Sequence, residues 1–254
     1  MSPAGEGTGG RLEGVLFDYG ETLVSFVPPE AALAAAAERI VALLDGLGRC
    51  PPDAGTLRAT VFDRVERQVQ EHDRGDSLAE IDVLEASRRA YRDAGLDLDP
   101  DLLDEVIRLE QEAWWQGARV DPETVPLLDG LRRHGVRVGL CSNAPYRLRS
   151  LRDQLAHLGL DRHLDAVTFS AEVGWRKPSP HIFTAALRAL GTGASSTVMV
   201  GDSEWGDIEG ARGAGMRAVL VHKSGAQVET AADAVVARLS ALPDALRTMR
   251  LYWD

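Results

Sequence analysis

The sequence predicts an α/β protein: a doubly wound, mostly parallel sheet interrupted early by an all-helical insert. Three observations predict it. Short apolar runs at residues 15–17, 136–141 and 197–200 each stop at polar residues, as strands buried on both faces do. Strand-like and helix-like segments alternate after about residue 118, which implies parallel strands joined by helical crossovers. Between residues 28 and 117 helical period dominates and nothing reads as a strand.

Taken in order, Val15-Leu16-Phe17 reads as a buried strand that delivers Asp18 into a loop holding Gly20 and Thr22. Helices are expected in the insert over residues 30–47, 53–73, 78–94 and 100–116. Pro51-Pro52, Gly75-Asp76 and Gly95 punctuate them. Beyond Asp121-Pro122 the expected order is helix 125–134, strand 136–141, helix 148–158, strand 166–169 and helix 178–190. Strand 197–200, helix 208–213, strand 217–221, a weak strand 234–236 and a last helix complete it. The domain reading is a disordered Gly/Ser/Pro-rich leader over 1–10, a core made of 11–27 and 118–254, and the helical insert over 28–117.

Composition narrows the function. The chain of 254 residues carries 28 basic and 39 acidic side chains, a net charge of -11. That balance argues against nucleic acid or an anionic membrane as partner, yet a local cation can still reverse the field inside one pocket. No apolar run approaches the ~20 residues of a membrane span, and a cytoplasmic location is expected. Cys50 and Cys141 are the only two cysteines, too few for a disulfide framework. Cys141, in an apolar run, reads as a small core residue. The six histidines show no metal-ligand spacing. Oligomeric state is not legible.

Asp18, Ser142 and Asp202 each follow a different predicted strand. Ligands of open α/β sheets bind beyond the carboxyl ends of the strands, so neighbouring strands would bring these groups to one crevice. Asp18 can serve as a nucleophile, or merely cap a turn. Asp202 and Asp207, five residues apart, can face one hard cation such as Mg²⁺, or begin a turn and cap a helix. Ser142 and Asn143 sit at a strand-to-helix turn, where a hydroxyl and backbone N–H groups hold phosphoryl oxygens or form a simple N-cap. Lys177 is one of only two lysines, with Lys223. Its compact ammonium suits a point contact to phosphate and carboxylate, or a solvated loop.

In order along the chain, Phe17-Asp18-Tyr19-Gly20-Glu21-Thr22-Leu23, Leu140-Cys141-Ser142-Asn143, Arg176-Lys177-Pro178 and Gly201-Asp202-Ser203 with Asp207-Ile208-Glu209-Gly210-Ala211 resemble motifs one to four of the haloacid dehalogenase superfamily. The resemblance runs from about Arg11 to the end of the chain. It implies a Rossmann-like core, and the helical insert resembles the type 1 cap of that family. It also implies roles. Asp18 would attack phosphorus and become an aspartyl-phosphate. Asp18, Asp202, the backbone carbonyl of Gly20 and Asp207 would hold Mg²⁺. Thr22 and Ser142 would hydrogen-bond the transferring group, and Lys177 would offset its charge. Asn143, Gly20 and Glu21 would line the substrate. The activity implied is a magnesium-dependent phosphatase acting on a small organic phosphate.

One position departs from the pattern. Phosphatases of the family carry a second Asp two residues after the nucleophile, as the acid and base of the reaction; here that position is Gly20. Loss of a positioned acid/base typically costs about 10²–10⁴-fold. Glu21, His72 of the insert, or a substrate with a good leaving group are the candidates for compensation. A catalytically weak or inactive phosphate- or partner-binding member is the alternative reading. A metal-independent dehalogenase fits less well, because both Asp202 and Asp207 are kept. A phosphonate-cleaving role is disfavoured, because the insert has no lysine. Trp114 and Trp115 are expected to pack the insert near its hinge, while Trp175 and Trp205 are candidates for the pocket rim.

Overall fold

The structure, a computed structural model, describes residues 10–224 and 228–253. Of the expected leader, all but Gly10 lies outside the described residues. Gly10 itself opens β1 (Gly10–Arg11), and β2 (Gly14–Phe17) follows, with all four residues buried. After the loop carrying Asp18, β3 (Val24–Phe26) leads into the insert.

The insert is all helical. It comprises α1 (Glu30–Gly46), α2 (Ala54–Leu57), a π-helical turn over Arg58–Phe62, α3 (Asp63–Asp73), α4 (Val83–Asp93) and α5 (Pro100–Trp114). Three aspartates set helix starts by accepting a backbone N–H: Asp53 from Thr56, Asp82 from Glu85 and Asp99 from Leu102. The insert has its own apolar core, in which Ile40, Leu44, Leu57, Val61, Tyr91, Leu103 and Val106 are buried. The helix expected over 78–94 begins only at Val83, because Asp82 caps it there. The preceding segment is extended, and Ala79 bridges Trp175 of the core.

The core resumes with β4 (Ala118–Val120), which pairs antiparallel with β3. The sequence showed neither strand. Val27 N–H donates to the Gly117 carbonyl at 3.1 Å across this two-stranded hinge. A Cβ at Gly117 would lie 2.0 Å from the Val27 carbonyl oxygen, so the crossing admits glycine alone. Then follow α6 (Thr124–Arg133), β5 (Arg137–Ser142), α7 (Leu148–His157), β6 (Ala166–Phe169), α8 (Ser170–Val173) and α9 (Pro180–Leu190). The chain closes with β7 (Thr197–Gly201), a π-helical turn over Glu204–Glu209, α10 (Gly210–Gly213), β8 (Arg217–Val221), β9 (Ala234–Val236), α11 (Leu242–Thr248) and β10 (Leu251–Tyr252). β10 pairs parallel with β1.

Among the described residues the central sheet has six strands in the order β6-β5-β2-β7-β8-β9, all parallel. Side chains alternate between its faces. Val15, Phe17, Val138, Leu140, Val198 and Val200 enter one apolar core, while Leu16, Cys141 and Met199 enter the other. The fold class is thus the expected one, a doubly wound parallel sheet with an inserted all-helical domain. From β2 the strand order runs outward to β5 and β6 on one side and to β7, β8 and β9 on the other. That reversal opens a crevice at the carboxyl ends of β2, β5 and β7.

Candidate active site

Asp18 follows the last residue of β2, Ser142 ends β5, and Asp202 follows the last residue of β7. Because β2 lies between β5 and β7, the three arrive side by side. Carboxylate oxygens of Asp18, Asp202 and Asp207 lie within 4.8 Å of one another. Asp207 reaches this cluster from the π-helical turn after β7, where a widened turn shifts the side chain relative to an α-helix. Ser203 N–H donates to its Oδ2 at 3.1 Å. A Cβ at Gly201 would stand 2.2 Å from the same oxygen. Glycine is therefore required there for Asp207 to pass beneath the end of β7.

Lys177 is buried among these acids. Its Nζ donates to Asp18 Oδ1 at 2.6 Å and to Asp207 Oδ1 at 2.5 Å. Burial alone would pull the ammonium down, but Asp18 and Asp207 outweigh it and hold Lys177 above its ordinary range. Burial raises Asp18, Lys177 opposes the rise, and Asp207 and Asp202 add to it. Asp202, the exposed member, is raised by desolvation and by Asp207. Three carboxylates face one ammonium, and burial and mutual repulsion push both Asp18 and Asp202 towards neutrality. A divalent cation relieves that strain, and hard carboxylate oxygens suit Mg²⁺. The residues present therefore fit the metal that the motifs imply.

The other expected residues divide. Thr22, buried, donates from Oγ1 to Asp202 Oδ1 at 3.5 Å. Ser142 is buried at the end of β5. Asn143 clamps the lysine backbone: Lys177 N–H donates to Asn143 Oδ1 at 2.7 Å, and Asn143 Nδ2 donates to the Lys177 carbonyl at 3.2 Å. Both ends of that amide position Lys177. Glu21 is turned to the outside, with φ 57°. Its carboxylate accepts from Phe26 N–H and lies 3.4 Å from Lys223 Nζ. His72 lies in the insert 3.7 Å from Glu80.

A cavity of about 310 Å³ opens between insert and core. Gly20, Ser142 and Asn143 form its floor beside Asp18. Glu21, held by Phe26 N–H and Lys223, and His72, beside Glu80, are both engaged away from this lining. Trp114 packs against the insert's core as expected, Trp115 lies against His157, and both also line the cavity. Trp175 and Trp205 are exposed and stand outside it; Trp175 stacks on His181 with ring centroids 4.7 Å apart. The wall also includes Tyr19, Phe26, Glu66 and Tyr146, which sequence reasoning missed.

The insert is latched over this cavity at two further places. Arg176, next to Lys177, pairs with Asp73 at 2.7 Å and donates to the His72 carbonyl at 3.0 Å. Arg147 pairs with Asp104 at 2.5 Å, beside the Tyr146 hydroxyl, which donates to Glu66 at 3.1 Å.

The model of the haloacid dehalogenase-like hydrolases matches residues 12–215, most of the chain and all four motifs. The chain belongs to this family. A phosphatase of Mycobacterium tuberculosis is 38% identical over 148 residues, 58% of this chain and 64% of that protein. The chain thus spans somewhat less than two thirds of that relative's length. Among solved structures, a phosphatase of the family from Thermococcus onnurineus superposes with a TM-score of 0.64 at 26% identity, covering 92% of this chain and 98% of that one. A 2-haloacid dehalogenase from Pseudomonas syringae pv. Tomato superposes with a TM-score of 0.68 at 27% identity, covering 93% and 99%. The helical insert therefore stands where the family carries its cap. Among the described residues no helix is long and apolar enough to cross a membrane.

Proposed function

We propose that this family member is a magnesium-dependent phosphatase that hydrolyses a small organic phosphate through an aspartyl-phosphate on Asp18. The observation that carries the reading is the cluster at the carboxyl ends of β2 and β7. Asp18, Asp202 and Asp207 converge around the Lys177 ammonium, and the adjoining residues Gly20, Ser142 and Asn143 line the cavity between insert and core. The phosphatase names of the Mycobacterium tuberculosis and Thermococcus onnurineus proteins support it.

Asp18, Asp202, Asp207 and the Gly20 carbonyl would hold Mg²⁺. When bound, the ion neutralises phosphate charge and keeps Asp18 ionised. Asp18 attacks phosphorus in line, the phosphorus–oxygen bond to the leaving group breaks, and an acyl-phosphate forms. Water then attacks that phosphorus, releasing inorganic phosphate and regenerating the carboxylate. Lys177 stabilises the negative charge on the transferring group, and Asn143 fixes it in place. Thr22 and Ser142 offer hydroxyl donors to the phosphoryl oxygens. The closed cap limits access of bulk water. With glycine at position 20, no side chain of that loop is placed to protonate the leaving oxygen. Esters with stabilised leaving groups should therefore turn over fastest.

A metal-free dehalogenase is the competing activity, favoured by the Pseudomonas syringae neighbour and by Gly20 itself. Turnover of an aryl phosphate and of 2-chloropropionate, each with Mg²⁺ and with chelator, separates the two. The phosphatase reading expects phosphate release only with Mg²⁺, abolished by Asp18→Asn. Halide release that survives chelation would replace it with the dehalogenase.

A further inference from the structure

The cavity has a chemical character that the phosphate site does not explain. Five aromatic side chains, Tyr19, Phe26, Trp114, Trp115 and Tyr146, form much of its wall, and among the described residues Glu66 is the only charged one that lines it. Among the described residues no lysine, arginine or histidine lines it. Glu66 accepts from Tyr146 Oη at 3.1 Å and from Gln70 Nε2 at 3.1 Å. A carboxylate has about four lone-pair sites, so acceptor capacity remains towards the cavity. Gln111, also in the wall, has its Oε1 buried without a partner. Behind Glu66, Glu110 is pushed up to about 8 by burial and by the carboxylates of Glu66 and Asp63. Among the described residues neither Glu66 nor Glu110 has an ion-pair partner.

Aromatic side chains around a half-buried carboxylate make a site for a cation, because ring quadrupoles and the carboxylate attract the same charge. A carboxylate-bearing leaving group would meet Glu66 with no basic residue to offset it. A neutral polyol would leave the acidic wall uncompensated. We infer that the cap cavity is an ammonium subsite, with Glu66 as its anion, and that the ester hydrolysed here is the phosphate monoester of an amino alcohol. This rests on the phosphatase reading for its chemistry. Water and the ester give the amino alcohol and inorganic phosphate; the ester phosphorus–oxygen bond breaks, and the ammonium keeps its charge throughout.

The test compares phosphocholine with 3,3-dimethylbutyl phosphate, which has the same shape without the charge, and with phosphoglycolate as the anionic ester. The cationic ester should show kcat/KM at least about tenfold above its neutral isostere, a difference within reach of a desolvated cation–aromatic contact, and phosphoglycolate should be the poorest. Glu66→Gln should shrink that ratio several-fold. A second readout needs no turnover: choline should perturb the fluorescence of Trp114 and Trp115, and 3,3-dimethylbutanol at the same concentration should not. Equal kcat/KM for phosphocholine and its isostere, alongside aryl phosphate turnover, overturns the ammonium subsite and leaves the phosphatase reading intact. Choline binding lost in Glu66→Gln, with no ester turned over, supports the cation site and overturns the phosphatase reading together with the substrate assigned here.

Discussion

Gly20→Asp is the most informative single change to this site. A Cβ at Gly20 meets only Phe26 ring carbons, at 3.9 and 4.0 Å, which are ordinary contacts. Gly20 is also not among the positive-φ glycines, so an aspartate fits without backbone strain. Gly20 lines the cavity beside Ser142 and Asn143, so a carboxyl group there projects from the site floor two residues after the nucleophile. A positioned general acid contributes about 10²–10⁴-fold, which is ~3–5 kcal/mol of barrier at about 1.4 kcal/mol per tenfold. The full gain belongs to alkyl esters, whose leaving oxygen needs a proton. Aryl esters, with stabilised leaving groups, should gain less. The assay is kcat for an alkyl and an aryl phosphate in both proteins, with Tm measured to confirm the fold. A folded variant whose alkyl phosphatase rate is unchanged, or rises no more than its aryl rate, would refute the idea that proton transfer limits this enzyme.

Lys177→Met should destabilise the protein, because it leaves Asp18 and Asp207 facing each other without their shared ammonium. Breaking a buried ion pair on one side costs about 3–5 kcal/mol. Calorimetry should show a lowered Tm that Mg²⁺ partly restores, and an unchanged Tm would contradict the geometry. Glu110 gives a pH signature of the cap. Its carboxyl is pushed up to about 8 by burial in the folded chain, against an ordinary 4.5. The unfolded chain therefore releases its proton first as pH rises, and stability falls between those two values by a few kcal/mol, at about 1.4 kcal/mol per pH unit. Glu110→Gln should flatten that decline and raise the Tm most at pH 8; denaturation profiles that stay parallel would rule it out.

The parallel strands were legible because each is a short apolar run with a polar stop, as at Val15-Leu16-Phe17-Asp18 and Thr197-Val198-Met199-Val200-Gly201-Asp202. The site floor was legible for the same reason: each strand end names its polar residue, and neighbouring strands do the rest. β3 and β4 were not, since three residues are too few to show a period of two, and they pair across an insert of about 90 residues. The late start of α4 was readable, for Asp82-Val83-Leu84-Glu85 carries a capping signature. The cavity wall was not. Glu66 meets Tyr146 across 80 positions of sequence, and Tyr19 donates to Gln154 across 135. Helical period places Trp114 and Trp115 on a helix but does not say that the insert folds over the strand ends. Asn143 looked like a phosphate ligand because it follows Ser142; its clamp on the Lys177 backbone joins two loops that sequence order keeps apart.

The central claim is that Asp18 forms a covalent bond to phosphorus. Mass spectrometry of enzyme quenched in acid during turnover, followed by peptide mapping, tests it directly. A phosphoryl group should appear on the peptide containing Asp18, only when Mg²⁺ is present, and should be absent from Asp18→Asn. Turnover that leaves Asp18 unmodified, or that persists in Asp18→Asn, would contradict the account.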